Sequence, residues 1–276
     1  MKRQPSGPRS RSRQTRTAPR ASPAPAVAPR GRVDLVDALR GVAITMMIAY
    51  HFCFDLTYYR WTDWAMLDDV RWIAWRTAIV TSFLFVAGLS LALRDDREQR
   101  RGAGWFDPAF LRRWAQIAAA ALLVTVGSTI LFPDRFIYFG VLHFVALAVW
   151  LCRRAPRLGG WGIAVGAVAL ALGLSVAHPA FDPRWVNWIG FAAQKPLTED
   201  YVPLFPWIGV VLIGCATGAL WGRRGFGLPP SLASAWKAVP TRIRATLAAM
   251  GRWSLTIYLL HQPLMLGAMA AVRQIG

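Results

Sequence analysis

An all-α fold, a polytopic transmembrane helix bundle of about seven spans with a cytoplasmic N-terminus, is what this sequence predicts. Three observations carry the prediction. More than half of the 276 residues are hydrophobic and 14 are Trp, a profile that fits several membrane helices better than a water-soluble domain of this length. The apolar residues gather into seven runs, each close to the ~20 residues a bilayer requires. Lys and Arg concentrate in alternate connections between those runs.

In chain order the runs extend approximately from Val33 to Tyr58, Val70 to Leu93, Ala109 to Phe132, Phe136 to Cys152, Gly160 to Ala177, Pro203 to Trp221 and Trp253 to Val272. The fourth is short and the fifth is rich in Gly and Ala. Ahead of them, residues 1–32 contain no acid and are dense in Arg, Ser, Pro and Ala. Such a segment cannot bury a core, so it reads as a disordered cytoplasmic arm beside anionic lipid, joined to a transmembrane domain over 33–276. A transit peptide has similar composition, but the repeated prolines argue against an amphipathic helix. No cleavable secretory signal is expected, because the first apolar run is too long and carries polar residues.

The cations test the topology independently. The arm, Arg94 to Arg113, Cys152 to Leu158 and Gly222 to Ala245 together hold 23 of the 32 Lys and Arg, while the alternate connections and the C-terminus hold 6. That asymmetry puts the N-terminus in the cytoplasm of a multi-pass plasma (inner) membrane protein. The net charge of +18 is therefore largely topological, and nucleic acid is not the expected partner. Cys53, Cys152 and Cys215 show no paired spacing, which predicts neither a disulfide framework nor a metal site.

Polar residues inside the spans point to function. Arg40 and His51 are eleven positions apart on the first span, so both lie on one helix face about 16 Å apart. Asp37 and Asp55 fall in the same sector, forming a seam that should face the bundle interior. Either the seam is a site, or it is a satisfied network in which Asp37 pairs with Arg40 and Asp55 with His51. His143 and His261 recur on later spans, near Tyr138, Ser254 and Tyr258. His51 and His143 fall at similar depth, about 10 Å from the outer ends of their spans, so two imidazoles at one depth can share a site. His261 sits nearer mid-span. Each histidine also reads as a satisfied core residue.

On the cytoplasmic side, LRDDREQR and FLRRWAQI bring Arg94, Arg97, Arg100, Arg101, Arg112 and Arg113 to the membrane surface. Guanidinium groups hold phosphates bidentately, so this cluster can take a nucleotide, although it also satisfies the positive-inside rule. Asp200 and Tyr201 precede the sixth span and read as an interfacial anchor or as a rim for a sugar, an ambiguity shared by Asp63, Asp68 and Asp69.

The motifs RVDLVDALRGVAITMMIAYHFCFDL, TSFLFVAGLSLAL, IYFGVLHFVAL, DYVPLFPWIGVVLIG and GRWSLTIYLLHQPL, in this order from Arg32 to Leu266, resemble the prokaryotic branch of the heparan-alpha-glucosaminide N-acetyltransferase catalytic-domain family. The Arg, ten residues, His element also resembles the integral-membrane acyltransferases of bacterial surface polysaccharides. The resemblance implies transfer of an acyl group, usually acetyl, from cytoplasmic acetyl-CoA to an acceptor across the membrane. By position it makes His51 the catalytic residue and Arg40 an acyl-CoA contact. Asp55 would orient the imidazole, His143 and His261 would complete the catalytic set, and Arg94, Arg97, Arg112 and Arg113 would hold the CoA phosphates. The eukaryotic members are larger, with more spans and a lumenal domain, so a bacterial glycan or lipid-linked sugar is the expected acceptor. Membrane lipid is the other expected partner, and a homo-oligomer is compatible with the sequence. A transporter, or a non-catalytic membrane partner, using the same polar seam is the alternative reading.

Overall fold

The computed structural model describes residues 33–275, and the basic arm lies outside the described residues. Nine α-helices and no strand form among the described residues: α1 (Asp34–Tyr58), α2 (Val70–Arg100), α3 (Pro108–Leu131), α4 (Val141–Leu151), α5 (Trp161–Ser175), α6 (Leu204–Arg223), α7 (Pro230–Ala238), α8 (Thr241–Arg252) and α9 (Ser254–Ile275). Local chemistry sets several of these starts. Asp34 and Asp37 place negative charge in the first turn of α1, where the helix dipole favours it. The Asp69 carboxylate accepts from the Arg71 amide at 2.8 Å to cap α2, and Asp107 caps α3 just ahead of Pro108.

The helices α1, α2, α3, α6 and α9 are long and apolar enough to cross a bilayer. The fourth and fifth predicted spans form helices of 11 and 15 residues. At 1.5 Å per residue these are about 16 and 22 Å long, less than a hydrocarbon core of about 30 Å. Large apolar side chains lie exposed along the outside, among them Leu122, Val126 and Ile130 of α3, Val168 and Leu174 of α5, and Leu264 of α9. An apolar exterior of this extent suits lipid contact.

Two apolar clusters hold the bundle. Leu84, Phe144, Val211 and Cys215 join α2, α4 and α6, while Ile44, Met47, Tyr50 and Ile79 join α1 to α2 with Ile257 and Tyr258 of α9 packed against them. The stretch read from sequence as a basic connection after α6 is partly helical, and α8 crosses α1 at backbone contact. A Cβ at Gly251 would lie 1.7 Å from the Asp37 carbonyl oxygen, and one at Gly41 would lie 2.0 Å from that of Leu247. This crossing occupies the N-terminal half of α1 and leaves its C-terminal half to α9.

Candidate active site

The register of α9 against α1 is fixed by two hydrogen bonds. The Gln262 amide donates to Asp55 Oδ1 at 2.9 Å, and the Tyr59 hydroxyl donates to the Leu266 carbonyl at 3.4 Å. His261 therefore meets His51, with ring centroids 5.0 Å apart and an interplanar angle of 60°. Tyr258, one turn earlier on α9, has its ring 5.7 Å from that of His261. Of the two histidines that the sequence offers beside His51, His261 is the one in ring contact with it. Depth counted from span ends misses it, because α8 makes α9 start well along α1.

Buried polar atoms without a hydrogen-bond partner collect at this junction. Among the described residues six side-chain atoms are in that condition, and four of them are His51 Nδ1, Asp55 Oδ2, His261 Nε2 and Gln262 Oε1. Each such atom costs about 1–3 kcal/mol if nothing fills it, so their concentration makes this junction the candidate site. His261 Nδ1 lies 2.7 Å from the Tyr258 carbonyl. In the neutral ring that contact puts the proton on Nδ1 and leaves a lone pair on Nε2. Asp55, only 1% exposed, bonds Gln262 and not the His51 imidazole, which corrects the expectation that it orients that ring.

His143 stands in a different environment. Its Nδ1 accepts from the Gly140 amide at 3.3 Å, so Nε2–H donates to the Thr125 hydroxyl at 2.9 Å, and that hydroxyl donates to the Ile137 carbonyl at 2.8 Å. Both ring nitrogens are used in tying α3 to the start of α4.

Asp200, half-buried ahead of α6, turns its carboxylate toward the helices. Its Oδ2 accepts from the Val141 amide at 2.8 Å and from the Tyr258 hydroxyl at 3.4 Å, linking the α5–α6 connection to α4 and to the His261 side of α9. Burial pushes its carboxyl above the usual range, opposed by the Val141 amide, the Tyr258 hydroxyl and the Arg76 charge. Tyr138 donates to Asn187 Oδ1 and Tyr201 to the Asn187 carbonyl, knitting the same connection together. Burial, then the neighbouring Tyr138, pushes the Tyr201 phenol up to about 12. Gln262 is the residue of this junction that sequence reasoning missed, and Asp200, read there as an anchor or a sugar rim, joins it through Tyr258. Their only sequence signal is a polar residue flanking an apolar run.

At the other end of α1, Arg40 donates to Asp37 Oδ1 at 2.8 Å, to the Gly251 carbonyl at 3.3 Å and to the Ser90 hydroxyl. It fastens α1 to α2 and α8. Arg94 bonds Glu98 at 2.8 Å, and Glu98 is shared with the fully buried Arg153, whose guanidinium lies 3.8 Å from the Phe110 ring centre. Arg154 and Arg157 close on Asp95 at 2.9 and 3.2 Å. This network joins the end of α2 to the α4–α5 connection. Arg97 lies in the last turn of α2. Arg112 and Arg113 line an open groove of ≈ 520 Å³ at the start of α3, with Pro108, Ala109 and Gln116.

No curated protein and no solved structure matches the chain. The profile of the family described as "Heparan-alpha-glucosaminide N-acetyltransferase, catalytic" matches residues 32–263, which contain α1 to α8 and α9 as far as Pro263. With a helical fold carrying several helices able to cross a bilayer and a family profile over most of its length, this multi-pass membrane protein belongs to the heparan-alpha-glucosaminide N-acetyltransferase catalytic-domain family.

Proposed function

We propose that this protein moves an acetyl group from cytoplasmic acetyl-CoA to an amino or hydroxyl group of a sugar on the far side of the plasma membrane, with His51 and His261 at the reacting centre. The observation that carries the reading is the cluster of unfilled buried polar atoms on His51, Asp55, His261 and Gln262 between α1 and α9. Its location within a chain of an acetyltransferase family gives that cluster a chemistry.

In the proposed topology the N-terminus is cytoplasmic, and the five long helices plus α4 and α5 make seven crossings. Support comes from the ion network of Arg94, Arg153, Arg154 and Arg157, which gathers the α2 end and the α4–α5 connection at one face, as the positive-inside rule requires. Arg112 and Arg113 in their groove are the proposed phosphate contacts. Arg40 keeps α1 in place while doing no chemistry.

His51 is proposed either to take the proton from the acceptor as it attacks the thioester carbonyl, or to attack that carbonyl first and carry the acetyl group on its ring nitrogen. In the second route the C–S bond breaks, the CoA thiol leaves, and the acceptor then cleaves the acylimidazole. His261, with the lone pair of its Nε2 uncommitted, is the neighbouring proton acceptor. The apolar surroundings limit loss of the thioester to water.

The test is single-turnover incubation of the purified protein with acetyl-labelled acetyl-CoA, with and without glucosamine. Label passing to glucosamine in wild type and not in His51→Ala supports the reading. Label retained on wild-type protein without acceptor selects the acylimidazole route. Tight acetyl-CoA binding with transfer that survives His51→Ala would overturn the assignment of the centre.

A further inference from the structure

The end of the bundle where α1 begins carries its basic residues in two different ways. In the network around Arg153, cations of α2 and of the α4–α5 connection close on Glu98 and Asp95. The segment that joins α6 to α9 has no such partners. After Asp200 the chain contains no Asp or Glu, and residues 222–252 carry Arg223, Arg224, Lys237, Arg242, Arg244 and Arg252. None of these forms an ion pair among the described residues. All but the half-buried Arg244 are exposed. Arginines that only fix topology need no such arrangement, since the positive-inside rule is met equally well by paired ones.

The segment also sits where a bilayer ends. Both α6 and α9 are long and apolar enough to cross one, so α7 and α8, which connect them, lie at a membrane boundary. The close approach of α8 to α1 at Gly41 and Gly251 puts that boundary at the start of α1. Arg223, at the end of α6, reaches the α4–α5 connection, where its Nη2 lies 2.6 Å from the position of a Cβ on Gly159. No residue of α7 is buried, although Leu232 and Trp236, one turn apart, share a face opposite Ser234 and Lys237. Trp236 instead meets Arg244 of α8, whose guanidinium lies 5.6 Å from the ring centre and donates to the Thr241 hydroxyl at 3.2 Å. That contact fastens α7 to α8. It leaves Leu232 exposed, with Lys237, Arg242 and Arg252 exposed on the same two helices.

We propose that α7 and the outward face of α8 form an in-plane docking surface for anionic phospholipid, with Lys237, Arg242 and Arg252 holding headgroup phosphates and Leu232 entering the acyl-chain boundary. Charge complementarity selects this occupant. Cations without a single carboxylate among them suit a sheet of phosphates, and an exposed leucine on the same hairpin gains from lipid but not from a water-soluble polyanion. Lipid held there braces the crossing of α8 with α1, which sets where α9 begins and so where His261 meets His51. The inference needs neither the acyl donor nor the acceptor to be identified.

The experiment uses the full chain in neutral detergent, incubated with labelled phosphatidylglycerol or phosphatidylcholine and passed through gel filtration to count the lipid retained. Wild type is compared with the triple variant Lys237→Gln, Arg242→Gln, Arg252→Gln, and with an arm variant carrying Arg9→Gln, Arg11→Gln, Arg13→Gln and Arg16→Gln. Wild type should retain phosphatidylglycerol in preference to phosphatidylcholine. The triple variant should bind it at least about tenfold more weakly, while the arm variant keeps most of the preference. High salt should weaken the preference in wild type. In nanodiscs, replacing half of the phosphatidylcholine by phosphatidylglycerol should raise the melting midpoint of wild type and not that of the triple variant. Displacement of the labelled lipid by inorganic phosphate at matched ionic strength would assign the cations to a soluble anion and overturn the lipid reading. Retention lost in the arm variant but intact in the triple variant would overturn it as well, by moving the lipid contact to the arm. A triple variant that elutes as aggregate is replaced by Lys237→Glu, on a helix with no buried residue. Undiminished retention of phosphatidylglycerol by that protein overturns the proposal.

Discussion

The two ends of α1 each carry a basic residue and an acid within one or two turns, and they have opposite fates. At the Arg40 end the cation meets Asp37, a main-chain carbonyl and a serine hydroxyl, and three helices are joined. At the His51 end Asp55 meets an amide from α9, while His51 Nδ1, Asp55 Oδ2 and two atoms of the partner residues are left unfilled. Both ends are equally improbable in an apolar helix. What separates a strut from a site is therefore unused hydrogen-bonding capacity rather than charge.

The sharpest way to break this comparison is to delete each end in turn. His51→Ala should lower acetyl transfer by at least about a hundredfold, in the range lost with a general base or nucleophile, and should leave the thermal midpoint close to wild type. Scintillation counting of the acetylated sugar, beside a melting curve in the same detergent, checks both halves. Arg40→Ala should do the reverse, lowering stability by about 3 kcal/mol because Asp37 is left with a poorly compensated charge. A double variant, Asp37→Asn with Arg40→Met, should recover much of that loss. If His51→Ala melts early and Arg40→Ala alone stops turnover, the two ends have been assigned the wrong way round.

How far the sequence reveals this arrangement depends on which distances are local. The Asp37 and Arg40 pair is readable from three-residue spacing, since helix geometry alone brings such side chains together. The meeting of His51 and His261 is not readable, because it depends on where α9 begins relative to α1. That offset is set by α8, a short amphipathic helix that hydropathy merges into a basic connection. Depth from span ends therefore selects His143, whose ring is already spent on Thr125 and Gly140. Asp200 is hidden for a related reason. The fold of the connection around Asn187 turns an apparent interfacial acid inward, and no periodicity announces such a turn.

The histidines sharpen the comparison at smaller scale. His261→Ala should reduce transfer by about tenfold to a hundredfold, since it removes the imidazole that packs against His51. His143→Gln should cost about 1 kcal/mol of stability through the weakened α3–α4 link and leave kcat within about twofold. Equal loss of kcat in the two variants would mean that His143 joins the site in a conformation other than this one.

The smallest effect is expected at Asp55, and it bears most directly on why polar atoms are left unfilled. Asp55→Asn can keep its contact with Gln262 through the side-chain oxygen while replacing the unfilled Oδ2 by an amide donor. The buried charge disappears with no change in volume. If Asp55 supports the fold only, stability should rise or stay within about 0.5 kcal/mol and turnover should be untouched. If the charge stabilises an imidazolium formed during transfer, turnover should fall about tenfold at unchanged stability, although no hydrogen bond joins Asp55 to His51 at rest. Measuring kcat and the melting midpoint on one preparation separates the two outcomes. A fall in both would mean instead that Asp55, like Arg40, is part of the scaffold, and the functional end of α1 would shrink to the two facing imidazoles.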